Sequence, residues 1–442
     1  MSRAFALVLL ALACGPRPGS PAAAPPSPGP VAAPAGGGEA PGLGPCAERR
    51  VGCLGPCAER RVGCDDQRVI ELEPLRIDVV TDGAGKQTAE MYDARTLFEE
   101  GNDALMQRRH DEALAAYDHL LQDFPDSRLV LSTLYNAGLA LEAKADYPGA
   151  AERYKQLVAR GDADKDEQTV RDAQFRLGSV LAEIERFAEA VAVFEAVLAR
   201  PKLSASDRIE ALARLGYALI EMKDYAGAED VLRSALAYYR EIQGTEHLES
   251  DYYIGMCQYY LADIPHRQFD AIPLRLPEAQ LDKDVDQKSE LFLLARDRYV
   301  KTVDYKNPYW ATAAVYQVGI MYKEFWDAFM AVPVPDNLKK NPEAAKMYVE
   351  EINKNDQLRK LLEKSILYHE RNVAMAKNGH VQTVWADASA SAGDGVKAIL
   401  ARQQKGELFQ PGQAGGKASA LEPGKATGTA PPTEYLPARI DL

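Results

Sequence analysis

The stretch that decides the fold reads GNDALMQRRHDEALAAY from Gly101 to Tyr117. Its pattern recurs as GLALEAKADYPGAAERY from Gly138 to Tyr154, GSVLAEIERFAEAVAVF from Gly178 to Phe194, and GYALIEMKDYAGAEDVL from Gly216 to Leu232. Each copy has a glycine first, an alanine 12 residues later and a large apolar residue 4 residues after that. Because the interval never varies, the regularity indicates a repeated structure and not a biased composition.

Each copy predicts two antiparallel helices, the first with the glycine and the second with the alanine. Small residues are needed where two helices pack with their axes about 8–10 Å apart. The repeat-packing residues are Gly101, Ala113, Gly138, Ala150, Gly178, Ala190, Gly216 and Ala228. A generic amphipathic bundle would show the same apolar spacing, but it would not explain why glycine and alanine keep one register in four copies.

The pattern resembles the tetratricopeptide repeat, whose units of about 34 residues stack into a right-handed superhelix. With Ala94 as the first position, Gly101, Ala113, Tyr117 and Pro125 fall where that family prefers glycine, alanine, an aromatic residue and proline. The resemblance implies an all-α solenoid of this type over residues 93–262, with a fifth unit that begins at Gly255.

Residues 263–403 are predicted to form divergent helical repeats. Ile264-Pro265 and Ile272–Pro277 predict an extended excursion, and a sixth unit begins at Gly319 without a regular second helix, because prolines follow Ala331. The predicted helices are Glu278–Asp304, Pro308–Ala331, Leu358–Lys377 and Thr383–Gln403. Residues 404–442, rich in Gly, Ala, Pro and Lys, are predicted to be disordered.

The N-terminus predicts export and lipid anchoring. Residues 1–13 contain one cation and a short apolar run, as signal peptides do. Leu10–Cys14 resembles the bacterial lipobox, although Ala11 stands where that motif prefers leucine, and the resemblance implies lipidation of Cys14. Since Gly15 is not the aspartate that retains many lipoproteins, we expect an outer-membrane anchor facing the periplasm. Free secretion and an uncleaved N-terminus are the alternatives.

Residues 14–42 form a Pro/Ala/Gly-rich linker, and the Cys-rich segment 43–67 contains one 11-residue sequence twice, at Leu43–Cys53 and Leu54–Cys64. In an exported protein the cysteines of the two copies are disulfide candidates; they are Cys46, Cys53, Cys57 and Cys64. Three pairings are possible, and the duplication favours one bond within each copy. A tetrathiolate zinc site is less consistent with the spacing, which lacks a C-x2-C knuckle.

Residues 68–92 predict a short β-hairpin. Val69–Val80 alternates apolar and polar residues, Asp82-Gly83 offers a turn, and Thr88–Tyr92 supplies the second strand. We expect this hairpin to cover the N-terminal end of the solenoid.

The composition and motifs predict no enzyme, cofactor or metal site. A net charge of −13 argues against nucleic-acid binding, which needs clustered Lys and Arg. The six histidines are scattered singly, so no nucleophile arrangement is visible and no small-molecule substrate is indicated. Two acidic triplets, Asp162/Asp164/Asp166 and Asp282/Asp284/Asp286, lack the glycine and closing glutamate of a calcium loop.

The resemblance implies that five positions on each first helix line a concave groove. The predicted partner-binding residues are Phe98, Asn102, Tyr135, Glu142, Phe175, Glu183, Tyr217, Glu221, Tyr252, Tyr259 and Tyr316. Such rings and carboxylates fit an extended or helical segment with apolar anchors and basic flanks. Tyr135 and Phe175 fit the inter-repeat core equally well. The set lacks the cations with which related domains clamp a C-terminal carboxylate.

The C-terminal half carries a second resemblance. Asn307–Ala311, Tyr316–Gly319 and Asp327–Met330, together with the lipid signal, are similar to tetratricopeptide lipoproteins of delta-proteobacteria, including those of myxobacterial gliding-motility complexes. This similarity implies a non-enzymatic scaffold that binds envelope proteins or peptide segments and touches the membrane through its anchor only. An adaptor or regulator of cell-wall-processing enzymes is the alternative, and a catalytic protein with an unrecognised site is the third possibility.

Overall fold

A computed structural model describes residues 74–81, 83, 87–164 and 166–412. Two strands, β1 Arg76–Thr81 and β2 Gln87–Tyr92, come first. The helices that follow are α1 Ala94–Met106, α2 His110–Asp123, α3 Val130–Ala143, α4 Tyr147–Asp164, α5 Glu167–Glu183, α6 Phe187–Leu198, α7 Ala205–Glu221, α8 Tyr225–Ile242, α9 Tyr252–Ala271, α10 Glu278–Thr302, α11 Pro308–Ala331, α12 Asp336–Lys339, α13 Pro342–Asn353, α14 Asp356–Asn378 and α15 Val384–Gln404. The predicted all-α solenoid with a small N-terminal hairpin is confirmed.

The solenoid is a stack of antiparallel helix pairs, and each of the first four pairs closes on its glycine. A Cβ atom added to Gly138 would lie 2.5 Å from the Tyr154 ring, closer than real Cβ contacts come. The corresponding distances are 2.3 Å from Gly101 to Tyr117, 2.4 Å from Gly178 to Phe194 and 2.4 Å from Gly216 to Leu232. The large residue 16 positions along therefore fills the space that a side chain would need, which is the physical reason for the spacing. The alanines of the pattern, Ala113, Ala150, Ala190 and Ala228, are fully buried.

The sixth unit has a long insertion between its two helices. Helix α11 ends at Ala331, before the predicted proline stop, and packs against α14 and not against the next helix in the chain. A Cβ atom on Gly319 would lie 2.6 Å from His369 on α14. His369 thus takes the place that Tyr117 holds in the first unit. Helix α13 in the insertion was not predicted, although Asn341 followed by Pro342 is a usual helix start.

The prediction of an extended Ile264-Pro265 was wrong, because α9 continues through Pro265 to Ala271. A proline inside a helix removes the donor to the carbonyl four residues earlier, here that of Leu261. The Arg298 guanidinium on α10 donates to this oxygen at 2.9 Å. A hydrogen bond from the neighbouring helix therefore replaces the missing one.

The hairpin contacts the first helix pair through the end where Arg76 and Tyr92 lie. Strands β1 and β2 pair antiparallel, with Arg76 opposite Tyr92. The Tyr92 hydroxyl donates to the Asp123 carboxylate at 2.7 Å, and Arg76 donates to the Asp123 carbonyl at 3.2 Å and lies over the Phe124 ring. The contacts hold the hairpin at the N-terminal end of the stack, as expected.

None of the helices within the described ranges is long and apolar enough to cross a membrane. The predictions for Cys14, for the linker and for Cys46, Cys53, Cys57 and Cys64 concern residues outside those ranges. The disorder expected for residues 404–442 lies outside those ranges beyond Gly412, but it is wrong for residues 404–412, because Gln404 ends α15 and the Phe409 main chain is hydrogen-bonded to Asn353.

His369 predicts a specific acid sensitivity. Both of its ring nitrogens are buried without a hydrogen-bond partner, and burial lowers its pKa to about 4. In the unfolded chain a histidine is protonated below about pH 6.5, whereas folded His369 is protonated only below about pH 4. Between these two pH values the unfolded state binds more protons than the folded state. The free energy of unfolding therefore decreases as the pH falls from about 6.5 to about 4. In urea unfolding, His369 should lower the free energy of unfolding by about 2 kcal/mol at pH 5 relative to pH 7.

The matched variant is His369→Leu, because Leu232 fills the equivalent place in the fourth unit. Between pH 7 and pH 5, the free energy of unfolding of this variant should fall by less than that of the wild type, and the difference should equal the contribution of His369. An identical pH dependence of the two proteins would contradict the assignment.

Candidate functional site

The first helices of successive units form one continuous surface. Helix α1 contacts α3, α3 contacts α5, α5 contacts α7 and α7 contacts α9, more closely than successive second helices approach each other. In a stack of helix pairs the more closely spaced row forms the inner side of the curve. The predicted groove residues of the first five units lie on these helices, so we describe this first-helix surface as the candidate site.

Polar contacts join the first helices across the first unit boundaries. The Asn136 amide donates to Asn102 at 2.8 Å between α1 and α3, and Asn102 also accepts from the Tyr117 hydroxyl at 2.7 Å. Between α3 and α5, Arg176 lies 3.6 Å from the Glu142 carboxylate. These contacts satisfy side chains that packing has removed from water.

Glu142 is a half-buried carboxylate held from two sides. Burial raises its pKa, which Arg176 and a 2.5 Å hydrogen bond from the Tyr154 hydroxyl oppose. The Tyr135 hydroxyl is also within the influence of Arg176, and its pKa is raised by burial. Tyr135 packs edge-on against Tyr154 with ring centres 5.9 Å apart. The cluster ties three helices together.

Arg214 continues the row between α5, α7 and α9. Its guanidinium donates to the Ser179 hydroxyl at 2.6 Å, to Glu210 at 2.8 Å and to the Tyr253 hydroxyl at 2.7 Å. Burial acts to lower the pKa of Arg214, but Tyr253 and Glu210 outweigh it and raise the pKa. Arg214 therefore stays charged with its charge engaged inside the protein.

A larger polar cluster lies at the C-terminal end of this surface, where α7, α9, α10 and α11 meet. Arg267 donates at 2.6 Å both to Glu221 and to Asp263. The buried His266 ring lies 2.9 Å from Glu324 and 3.1 Å from the Tyr299 hydroxyl. Burial acts to lower the pKa of His266, but Glu324 outweighs it and raises the pKa.

Four predicted groove residues are buried, so the prediction that they line an open groove needs correction. Phe98 packs on Tyr117, and Asn102 is enclosed by its hydrogen bonds. Tyr259 lies in the core against Trp310, and Tyr316 packs against His369 and Trp385. The reason is that other helices pack on these positions: α2 on Phe98 and Asn102, α11 on Tyr259, and α14 and α15 on Tyr316. A partner therefore cannot touch them directly.

The other predicted residues remain partly accessible. Tyr135, Phe175, Tyr217 and Tyr252 are half-buried, as are Glu142 and Glu221, whose carboxylates are engaged. Glu183 is exposed. Partial desolvation by the surrounding helices and the nearby Glu142 carboxylate raise the pKa of Glu183. It is thus a carboxylate on the inner side to which a partner's cation has access.

The prediction also missed three cations of this surface, Arg176, Arg214 and Arg267. A detectable signal existed, because Arg176 and Arg214 each stand two residues before the glycine of their unit. All three are engaged by carboxylates of the same surface. Among the predicted groove residues, the exposed charge is the Glu183 carboxylate.

No metal-binding arrangement occurs among the residues that the structure describes: nowhere do three His, Cys, Asp or Glu side chains converge as ligands. Asp284, from one of the acidic triplets, is buried and held by Arg275 at 2.8 Å. The free cysteine in the described part, Cys257, is buried, and burial raises the pKa of its thiol.

Comparison with known proteins identifies the repeats. Residues 95–127 and residues 135–207 match family models of the tetratricopeptide repeat. The chain therefore contains tetratricopeptide repeats, a fold that generally serves as a protein-interaction module. No curated protein matches the sequence at a significant level.

Similar solved structures include a crystal structure of a MamA protein, at 16% identity over 48% of this chain and 96% of that one, with a TM-score of 0.33. MamA from Desulfovibrio magneticus shares 19% identity over 46% of this chain and 96% of that one, with a TM-score of 0.30. A tetratricopeptide protein from Parabacteroides merdae shares 13% identity over 62% of this chain and 98% of that one, with a TM-score of 0.32. Likenesses at this level carry no argument about partners.

The Arg176–Glu142 contact predicts a non-additive pair of substitutions. Arg176→Met leaves a desolvated carboxylate without its cation and should lower the free energy of unfolding by about 1–3 kcal/mol. Glu142→Gln keeps an acceptor for Tyr154 and removes the charge, so the double variant should recover most of that loss. Urea unfolding of the four proteins of the cycle measures the coupling, and strictly additive effects would show that the contact is unimportant.

Proposed function

We propose that this protein is a non-enzymatic scaffold that binds basic, partly apolar segments of other proteins along its first-helix surface. The observation that carries the proposal is the accessible Glu183 carboxylate on a surface that also carries half-buried rings and on which Arg176, Arg214 and Arg267 are already engaged. Rings of this kind provide contact area at little entropic cost, and a carboxylate partly withdrawn from water attracts a cation more strongly than one in bulk solvent.

The row of internal ion pairs supports rigid recognition. Because Arg176, Arg214 and Arg267 already link neighbouring first helices, the surface is organised before a partner arrives. A preorganised surface loses less conformational entropy on binding. The overall charge of −13 favours the same class of partner.

Charge reversal at Glu183 tests the proposed surface. An array of peptides with varied charge, probed with the full chain, should select those with Lys or Arg beside apolar anchors. Glu183→Lys should lower the affinity for the selected peptides at least tenfold and reduce the salt dependence of their binding. Glu195→Lys is the matched control, since Glu195 is exposed in the same unit but on the second helix α6. Equal effects of the two variants would reject the first-helix surface.

We further propose that the scaffold is anchored by lipid on Cys14 to the bacterial outer membrane and faces the periplasm. The apolar run before Cys14 and the spacer-like composition of residues 15–42 support this setting. Within it, the protein would assemble an envelope complex of the kind that serves gliding motility. The support for motility is the resemblance of residues 75–402.

The anchor has its own test. In a bacterial host, Cys14→Ala should move the protein from the membrane fraction to the soluble fraction and abolish incorporation of labelled palmitate. Cys257→Ala is the control, because its buried thiol should leave both properties unchanged. Palmitate labelling that persists in Cys14→Ala would reject the anchor without affecting the binding proposal.

A further inference from the structure

Residues 405–412, which we term the strap, leave α15 and run back across α11 and α13. The Phe409 ring packs edge-on against Trp326 of α11, with ring centres 5.5 Å apart and an interplanar angle of 86°. At its far end, the Gly412 amide donates to the Met330 carbonyl at 2.9 Å. The strap, whose residues 407–410 lie outside any helix, strand or turn, therefore covers the C-terminal end of α11.

Asn353 holds the main chain of the strap. Its side-chain amide donates to the Phe409 carbonyl at 2.9 Å, and its oxygen accepts from the Phe409 amide at 2.8 Å. These are the two bonds that a neighbouring strand would make with one residue of an extended chain. Since only main-chain atoms take part, the same clamp can hold another extended segment with any side chain beside it.

Specificity comes from the side chains on either side of the clamp. The Arg402 guanidinium lies 4.8 Å from the centre of the Phe409 ring and also donates to the Glu407 carboxylate at 2.6 Å. Arg402 therefore recognises both an aromatic residue and an acidic residue two positions before it. Trp326 completes the aromatic subsite.

The strap is much less buried than the surface beneath it. Leu408 is 38% exposed, and Glu407 and Gln410 are also exposed, whereas Trp326 and Met330 are 4% and 3% exposed with the strap in place. Gly406, with a φ of +84°, turns the chain at the start of the strap, directly after α15. A segment with few buried contacts opens more readily than the packed helices around it.

We propose that the surface of Trp326, Met330, Asn353 and Arg402 is a docking site for an extended segment of a partner protein. The segment carries an acidic residue two positions before an aromatic one, as Glu407-Leu408-Phe409 does, and the strap closes the site in cis until it is displaced. This site is separate from the first-helix surface and takes a partner of opposite charge, so either proposal can fail without the other.

The probe is a fluorescein-labelled peptide with the sequence of residues 405–412, KGELFQPG, whose binding to the full chain is followed by fluorescence anisotropy. In the wild type the covalently attached strap competes at high effective concentration. Phe409→Ala should empty the aromatic subsite and bind the peptide at least tenfold more tightly than the wild type. Adding Asn353→Ala should abolish this gain, and a peptide with alanine in place of phenylalanine should not bind.

Two more variants serve as a second opened form and as a control. Glu407→Lys places a positive charge beside Arg402 and should also open the strap. Because both side chains are largely exposed, this change leaves the core intact. It therefore keeps the test usable if Phe409→Ala does not fold. Leu408→Ala alters the strap at an exposed position and should behave as the wild type.

Three results would overturn the proposal. They are the absence of peptide binding to both opened variants when circular dichroism shows them folded, equal binding by the wild type and the opened variants, and a concentration-dependent dimer of the wild type that Phe409→Ala abolishes. The dimer would mean that a second copy exchanges straps and fills the site.

Discussion

The close approach of two helices at each repeat glycine is the constraint on which the rest of the structure depends. At Gly138 the Tyr154 ring occupies the place of a side chain, and the same exchange recurs in the other regular units. Because each helix pair closes in this way, its first helix can pack against the first helix of the next unit. The continuous inner surface is therefore a consequence of a contact within single units.

That surface shows how charged residues are accommodated when helices pack along them. Glu142, Arg176, Arg214 and Arg267 occur where neighbouring first helices meet, and each has an internal partner. A buried charge without a partner costs several kcal/mol, so such groups occur in pairs. Of the predicted groove residues, the half-buried rings and Glu183 remain accessible to another protein, and the preference that we propose for basic, partly apolar segments rests on them.

The C-terminal half keeps the packing principle but relaxes the sequence pattern. In the sixth unit His369 fills the place opposite Gly319, although 50 residues separate the two. In α9 the Arg298 guanidinium supplies the hydrogen bond that Pro265 cannot. The insertion that separates α11 from α14 also brings Asn353 to the strap. Departures from the repeat thus coincide with long-range side-chain contacts, and one of them creates a second candidate surface.

The sequence by itself determined the features that depend on local spacing. The interval from glycine to alanine to ring identified the helix pairs, and alternating residues beside Asp82-Gly83 identified the hairpin. The predicted α10, α11, α14 and α15 agree with the structure to within two residues at each end, because amphipathic periods, caps and prolines act within a few residues of the chain.

Only the tertiary structure decided which residues of one helix face are accessible. Tyr316 stands three residues before the glycine of its unit, as Tyr252 does, and Tyr259 follows Tyr252 by two helical turns, yet Tyr259 and Tyr316 are buried and Tyr252 is half-buried. The reason is that burial depends on helices far along the chain: α11 covers Tyr259, and α14 and α15 cover Tyr316. Local periodicity fixes which face of a helix points inward, but the side chains of distant helices decide what covers that face.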